Sequence, residues 1–116
     1  MLQRLLATFS RIDGVMSAVV VDAEMTPVAT YLDPKYAEVT PSVGIFEVLR
    51  EAERLSSGAG LSDIEQIWVE SAGGNVLVAP LSEGHVILVS SSNASNIGRL
   101  RHEIRARAPV IEDLLR

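Results

Sequence analysis

Residues 12–22 read IDGVMSAVVVD and run directly into AEMTPVATYLD at 23–33. Val15 to Val21 carries no charge. It is far shorter than the roughly 20 apolar residues that span a bilayer, and its β-branched content suits a buried strand better than a helix. The apolar pattern resumes at Pro27 after the short polar stretch Ala23-Glu24-Met25-Thr26. The expectation is a hairpin, with Val15 to Asp22 going out and Pro27 to Leu32 coming back. Both faces of the outgoing strand are apolar, which makes it central and covered on both sides. Pro27 has no N–H for a ladder, so the return strand is an edge.

On the N-terminal side, Leu2, Leu5, Leu6, Phe9 and Ile12 share one face of a helix that ends at Asp13-Gly14. On the C-terminal side, DPKYAEVTP at 33–41 reads as a loop, with Thr40 able to cap the next helix and Pro41 suited to its first position. That helix runs over about 42–57 and stops at Gly58. Three strand candidates follow at tight spacing, Ile64 to Glu70, Asn75 to Leu81 and His85 to Ser91. Gly73-Gly74 and Glu83-Gly84 between them supply the positive φ angles that two-residue hairpins need. This is an antiparallel meander. The last helix opens at Ser92-Asn93 as N-cap and places Ile97, Leu100, Ile104, Ala108, Ile111 and Leu115 on one face. Pro109 either kinks it or restarts it. The class is α+β, in the order α-β-β-α-β-β-β-α, and the length of 116 residues fits one domain over 1–116.

Composition removes several chemistries. The absence of cysteine excludes disulfides, iron–sulfur ligation and thiol catalysis. The amphipathic start MLQRLLATFSRI has no signal-peptide core, and a cytoplasmic location is expected. The net charge of −5 argues against nucleic acid as a partner. Charge is uneven: residues 1–98 hold 5 basic and 12 acidic side chains, whereas 99–116 hold five arginines against three acids. That tail reads as a solvated helix face, or as a surface for an acidic protein or anionic partner. With Lys35 the only lysine, a GxxxxGK[ST] phosphate loop is impossible. His85 and His102 have no second ligand at metal-binding spacing. Ser90, Ser91 and Ser92 lack a GxSxG elbow and read as strand end and cap, and the acids around Glu51-Glu53 and Asp63-Glu65 read as surface. No catalytic residue, cofactor or metal is expected, and no membrane insertion.

Attention therefore turns to surfaces. On the middle helix, Ile45, Val48, Leu49, Ala52 and Leu55 are expected on the sheet, with Glu47, Arg50, Glu51 and Arg54 outward. Val43 and Phe46 also fall toward the outer side, near Arg50. An aromatic beside an arginine there has the composition of an interface core, or else Phe46 covers the rim of the sheet. In the first meander strand Trp68 shares a face with Ile64, Gln66 and Glu70, while Ile67 and Val69 point the other way. Mixed faces make this the other edge of the sheet, open to pairing with another chain. A symmetric dimer is expected, with Val43, Phe46, Glu47, Arg50, Arg54, Ile64, Gln66 and Trp68 as interface candidates.

These pieces, taken in order, resemble a family. Ile12-Asp13-Gly14-Val15, Ala18-Val19-Val20-Val21-Asp22, the VES-x-GG-x-VLV-x-PL segment at 69–81 and the ending Asn93-Ala94-Ser95-Asn96-Ile97-Gly98-Arg99-Leu100-Arg101 are similar to the Roadblock (dynein light-chain) family, particularly bacterial members of the mutual-gliding GTPase-regulator type. The likeness spans nearly the whole chain. One departure is the hairpin turn, Glu24-Met25-Thr26-Pro27, where the family usually holds an Asp-Gly type pair. The resemblance implies a profilin-like α/β/α sandwich with a five-stranded antiparallel sheet. It implies homodimers, or heterodimers with a paralogue, joined edge to edge. It also implies a non-enzymatic platform for a Ras-like small GTPase in bacterial polarity, motility or signalling, acting on hydrolysis, exchange or anchoring. A small ligand-sensing module of similar fold is the alternative, and it needs a cavity with converging polar groups.

Overall fold

The computed structural model describes residues 1–35, 45–93 and 95–116. The hairpin forms as expected, with strands β1 (Val15–Val21) and β2 (Pro27–Leu32) paired antiparallel. Its turn solves the problem of the missing Asp-Gly pair in another way. The Asp22 carboxylate accepts from the backbone N–H of Glu24 and of Thr26, each at 2.9 Å, and Met25 takes up a φ of 70°. The Asp22 side chain thus adds to the turn's own backbone bonds, Asp22 N–H to the Thr26 carbonyl and Met25 N–H to the Asp22 carbonyl, each at 3.0 Å. The register shifts by a residue between Val20 and Val21, a bulge beside the turn.

Helix α1 (Leu2–Ala7) tightens into a 3-10 turn at Thr8–Arg11 and delivers the chain to β1. Helix α2 (Ile45–Gly58) ends at the expected glycine. The meander follows as β3 (Ile67–Ser71), β4 (Gly74–Pro80) and β5 (Val86–Ser91), and helix α3 (Ile97–Leu114) closes the order. All neighbours are antiparallel in the strand order β2-β1-β5-β4-β3, so β1 is internal and the two edges are β2 and β3. The five-stranded sheet and the α+β order are those expected.

Alternation along β1 builds two cores. Ala18 and Val20 face one side, where they join Leu77, Ile87 and Val89 of the sheet, Leu6, Phe9 and Ile12 of the N-terminal segment, and Leu100, Ile104 and Ile111 of α3. Val19 and Val21 face the other side with Val78, Val86 and Leu88, under Ile45 and Leu49 of α2. Each such side chain contributes about 1.5–3 kcal/mol when fully buried. Among the described residues the first core has fourteen buried members and the second seven.

Several boundaries differ from expectation. The strand expected from Ile64 begins at Ile67, because Glu65 and Gln66 are drawn to α3 instead: Arg105 donates to the Glu65 carboxylate at 2.8 Å, and Gln66 Nε2 to the Arg101 carbonyl at 3.1 Å. The cap expected at Ser92-Asn93 lies at Asn96, whose Oδ1 accepts from Arg99 N–H at 3.0 Å. Asn93 serves the β3–β4 turn, donating to the Ala72 carbonyl at 2.7 Å. Pro109 lies inside α3, which runs on past it to Leu114. At the β4–β5 turn Glu83 (φ 58°) and Gly84 (φ 78°) are both positive, as expected. At the β3–β4 turn only Gly74 is, at φ 149°. The loop from Tyr36, the cap at Thr40-Pro41, the helix start at 42–44 and Ala94 lie outside the described residues.

One side chain ties α3 to the N-terminal turn. Arg107 donates from Nε to Thr8 Oγ1 (3.0 Å) and from Nη1 to the Glu103 carboxylate (2.6 Å), and its guanidinium lies 4.9 Å from the centre of the Phe9 ring. The hydrogen bond from Arg107 holds the Glu103 carboxyl below its ordinary value, against an opposing push from desolvation. Burial, with the charge of Asp33 adding, pushes the Tyr31 hydroxyl up.

Two outcomes are expected. A depressed carboxyl stabilises the fold above its ordinary value of 4.5, and that contribution is lost as pH falls through the lower, folded value. The gap in urea midpoint between the wild type and Glu103→Gln should therefore be present at neutral pH and close in acid. A gap unchanged down to acid pH contradicts the pairing. At Gly74, an added Cβ would sit 2.3 Å from the Ser91 carbonyl oxygen. Gly74→Ala should cost about 2 kcal/mol or more in urea unfolding, whereas Gly73, with open space around it, should accept alanine at well under that.

Candidate functional site

The free edge of the sheet is β3. Its residues alternate like any strand: Ile67 and Val69 sit opposite Val78 and Val76 and face α2, while Trp68 sits opposite Leu77 and faces α1 and α3. Ile67 is partly covered by the second core, but Val69 is 49% exposed and Trp68 45% exposed. The indole of Trp68 is positioned from within the sheet, its Nε1 donating to Asn75 Oδ1 of β4 at 3.2 Å. Among the described residues no hydrogen bond from outside the sheet reaches the β3 backbone. An edge with unpaired backbone groups and a half-exposed tryptophan and valine can pair with an extended strand and bury its side chains at the seam.

Helix α2 is rolled relative to expectation. Ile45, Leu49 and Ser56 are buried, whereas Val48 and Leu55, expected on the sheet, are exposed, Leu55 by 77%. At 100° per residue, Ile45, Leu49 and Ser56 lie within about 40° of one another, and Phe46 lies roughly 80° from their centre. The roll has a local cause at the helix end: the Ser56 hydroxyl donates to the Ser62 carbonyl at 2.6 Å, which turns that side inward toward the following loop. Phe46 moves in with it. Its ring packs against the second core beside Leu49 and Val86, so it covers the rim of the sheet and is not the free outer aromatic that the helical wheel suggested. With Arg50 and Glu53 it borders a groove closed on its far side by Pro80, Leu81 and His85.

The other expected interface residues fall as follows. Glu47 and Arg50 are exposed on α2. Arg54 is exposed and paired with Glu51 at 3.1 Å, a surface pair of small energetic weight. Ile64 and Gln66 lie before β3 against α3 and do not share a strand face with Trp68. Val43 lies outside the described residues. The set therefore divides across the edge: Phe46, Glu47 and Arg50 belong to the α2 side, while Trp68 and Gln66 belong to the α3 side. Val48 and Leu55, expected on the sheet, are exposed, as are Leu61 and Val69, which are not among the interface candidates named from the sequence. The signal for the first two was their separation of seven residues, which forms a stripe of its own beside the buried one.

Among the described residues, no group of three or more His, Asp or Glu could hold a metal ion, and no helix is long and apolar enough to cross a membrane. His85 Nδ1 lies 3.2 Å from the Ser82 carbonyl, within its own turn, and His102 is exposed on α3. What the site offers is backbone hydrogen bonding, apolar area and a few charges.

The chain matches no protein-family model. It is 28% identical over 112 residues to an uncharacterized protein of Methanocaldococcus jannaschii, covering 97% of this chain and 94% of that one. Among solved structures, gliding protein MglB from Thermus thermophilus superposes with a TM-score of 0.85 at 10% identity, over 97% of this chain and 86% of that chain. An MglB structure with a tetrameric arrangement gives 0.86 at 11% identity, over 97% and 85%. A Roadblock/LC7 domain from Streptomyces avermitilis gives 0.72 at 18%, over 97% and 96%, and profilin IB from Acanthamoeba castellanii 0.61 at 16%, over 94% and 98%. At these identities the likeness speaks for the fold: the chain has the profilin-like α/β/α architecture of the Roadblock/LC7 domains and of MglB.

Proposed function

We propose that this protein is a non-enzymatic regulator or scaffold that self-associates, or pairs with a paralogue, through β3 and the flank of α2, and presents the joined surface to a Ras-like small GTPase in the cytoplasm. The observation that carries the pairing is the uncovered β3 edge with Trp68 and Val69 half-exposed on its two faces. Joining two such edges in antiparallel fashion would continue one five-stranded sheet into the next and place both α2 helices on the same side. The exposed Val48 and Leu55 support a role for α2 at the seam, because a neighbour's side chains could cover them. The tetrameric arrangement of an MglB structure with this fold supports self-association. The GTPase partner and a role in polarity or motility signalling rest on the Roadblock resemblance and on the likeness to a gliding protein. Ligand sensing is the weaker reading, since the concavities described, such as the groove beside Phe46, are open to solvent.

Light scattering during gel filtration, over a tenfold concentration range around micromolar, should give twice the 12.5 kDa chain mass. Val69→Arg changes a half-exposed edge residue, so it should keep the unfolding free energy of the chain within roughly 1 kcal/mol of the wild type while returning the mass to that of one chain. Phe46→Glu should lower stability as well as association, because its ring is part of the core. A Val69→Arg variant with the wild-type mass would remove β3 from the seam. Pull-downs with the host's small GTPases in each nucleotide state should recover one of them with the wild type. Recovery of none in either state would overturn the GTPase reading.

A further inference from the structure

The sheet has two edges, β2 and β3, and among the described residues only β2 has its outward backbone groups taken from outside the sheet. On β2, Thr30 N–H donates to Gln3 Oε1 at 3.1 Å, and Gln3 Nε2 donates back to the Thr30 carbonyl. The Gln3 amide thus occupies both backbone groups of one residue, as the next strand of a sheet would. Residues 29 and 31 pair inward with β1 and Asp33 N–H bonds inward to Met16, so the outward-facing residues of β2 are Val28, Thr30 and Leu32. Thr30 is the middle one. An incoming strand needs consecutive pairs, and with Thr30 taken the two that remain are not adjacent.

We infer that Gln3 is a plug that closes β2 to strand pairing, and that β2 is a latent second pairing surface for the β2 of another copy. Three observations carry this. The plug is held on a fixed element, since Leu6 of α1 is fully buried and Leu2 and Leu5 pack on the same core. The edge it covers is otherwise adhesive: Val28 and Leu32 are exposed apolar residues on a strand with no inward-pointing charge to discourage pairing. Pro27 removes the N–H only at the start of the strand and leaves the middle to be protected by other means. With both edges open, each copy could add a neighbour on either side, and a closed pair would become an open chain. The biological meaning rests on the proposed pairing through β3, but the test counts association relative to the wild type and does not depend on it.

The experiment uses the full chain as Gln3→Ala and Gln3→Glu. Gln3 is exposed on a helix, where alanine is well tolerated. In Gln3→Ala, at dilutions where its mass still equals that of the wild type, amide exchange at Thr30 should quicken about tenfold, the worth of one ordinary hydrogen bond. Light scattering should also show at least one association step beyond the wild type as concentration rises, whether the wild type is a monomer or a dimer. Gln3→Glu puts a charge on the edge and should keep the wild-type mass. Three results would overturn the inference: a Gln3→Ala mass equal to the wild type at every concentration, an unchanged Thr30 exchange rate, or extra association in both variants, which would point to loosened α1 packing and not to the amide.

Discussion

Burial of both faces of β1 is the constraint on which the rest of the molecule depends. Ala18 and Val20 on one side and Val19 and Val21 on the other must all leave water, and one layer of helix can cover only one side. Two layers are therefore required, α1 with α3 beneath and α2 above, and the strand must be internal, which pushes β2 and β3 to the edges. A shift of one residue in the β1 register would exchange the two cores wholesale, and the two irregularities of the strand lie at its ends, between Val20 and Val21 against β2 and between Val15 and Ser17 against β5. The free edge, the half-covered α2 and the plug at Thr30 all follow from how the chain finishes a sheet whose middle is fixed.

The unequal finish bears on function. The α1/α3 side is closed by fourteen buried residues and pinned by Arg107 across Thr8, Phe9 and Glu103, whereas the α2 side has seven among the described residues. What the β3 edge offers a partner is apolar area and backbone groups. The basic side chains of α3, partly offset by Glu65 and Glu103, lie on the opposite side of the sheet from the acid-rich α2, so the two sides present different charge to any partner.

The parts of the fold that were legible in the sequence are those dictated by local pattern. The hairpin at 12–33, the stripe through Leu6, Phe9 and Ile12, the Leu100-Ile104-Ile111 face and the Glu83-Gly84 turn each carry their own signal. What was not legible depends on contacts between distant segments. Ile64 to Gln66 have the composition of a strand, yet Arg105 and the Arg101 carbonyl hold them against α3. Asn93 looks like a cap but is used by Ala72, leaving the role to Asn96. The α2 wheel gave a stripe of five apolar residues, and the bond from Ser56 to Ser62 chose a different centre, turning Val48 and Leu55 out and Phe46 in. At the site, the mixed faces of Ile67 to Glu70 identified an edge strand correctly, because alternation is local. Which side chains flank that edge was set by the roll of α2, which is not.

The lack of cysteine in the chain permits a direct test of pairing between two copies through β3. Single cysteines would be placed in turn at positions 67, 69 and 71 of β3 and at 28 and 30 of β2, and the purified chains oxidised at micromolar concentration. Directly opposed residues of an antiparallel pair have Cα atoms about 4.5–5.5 Å apart, within the span of a disulfide. The account predicts a covalent dimer in high yield from at least one β3 position and from neither β2 position. Equal yields from the two edges, or none from β3, would contradict it.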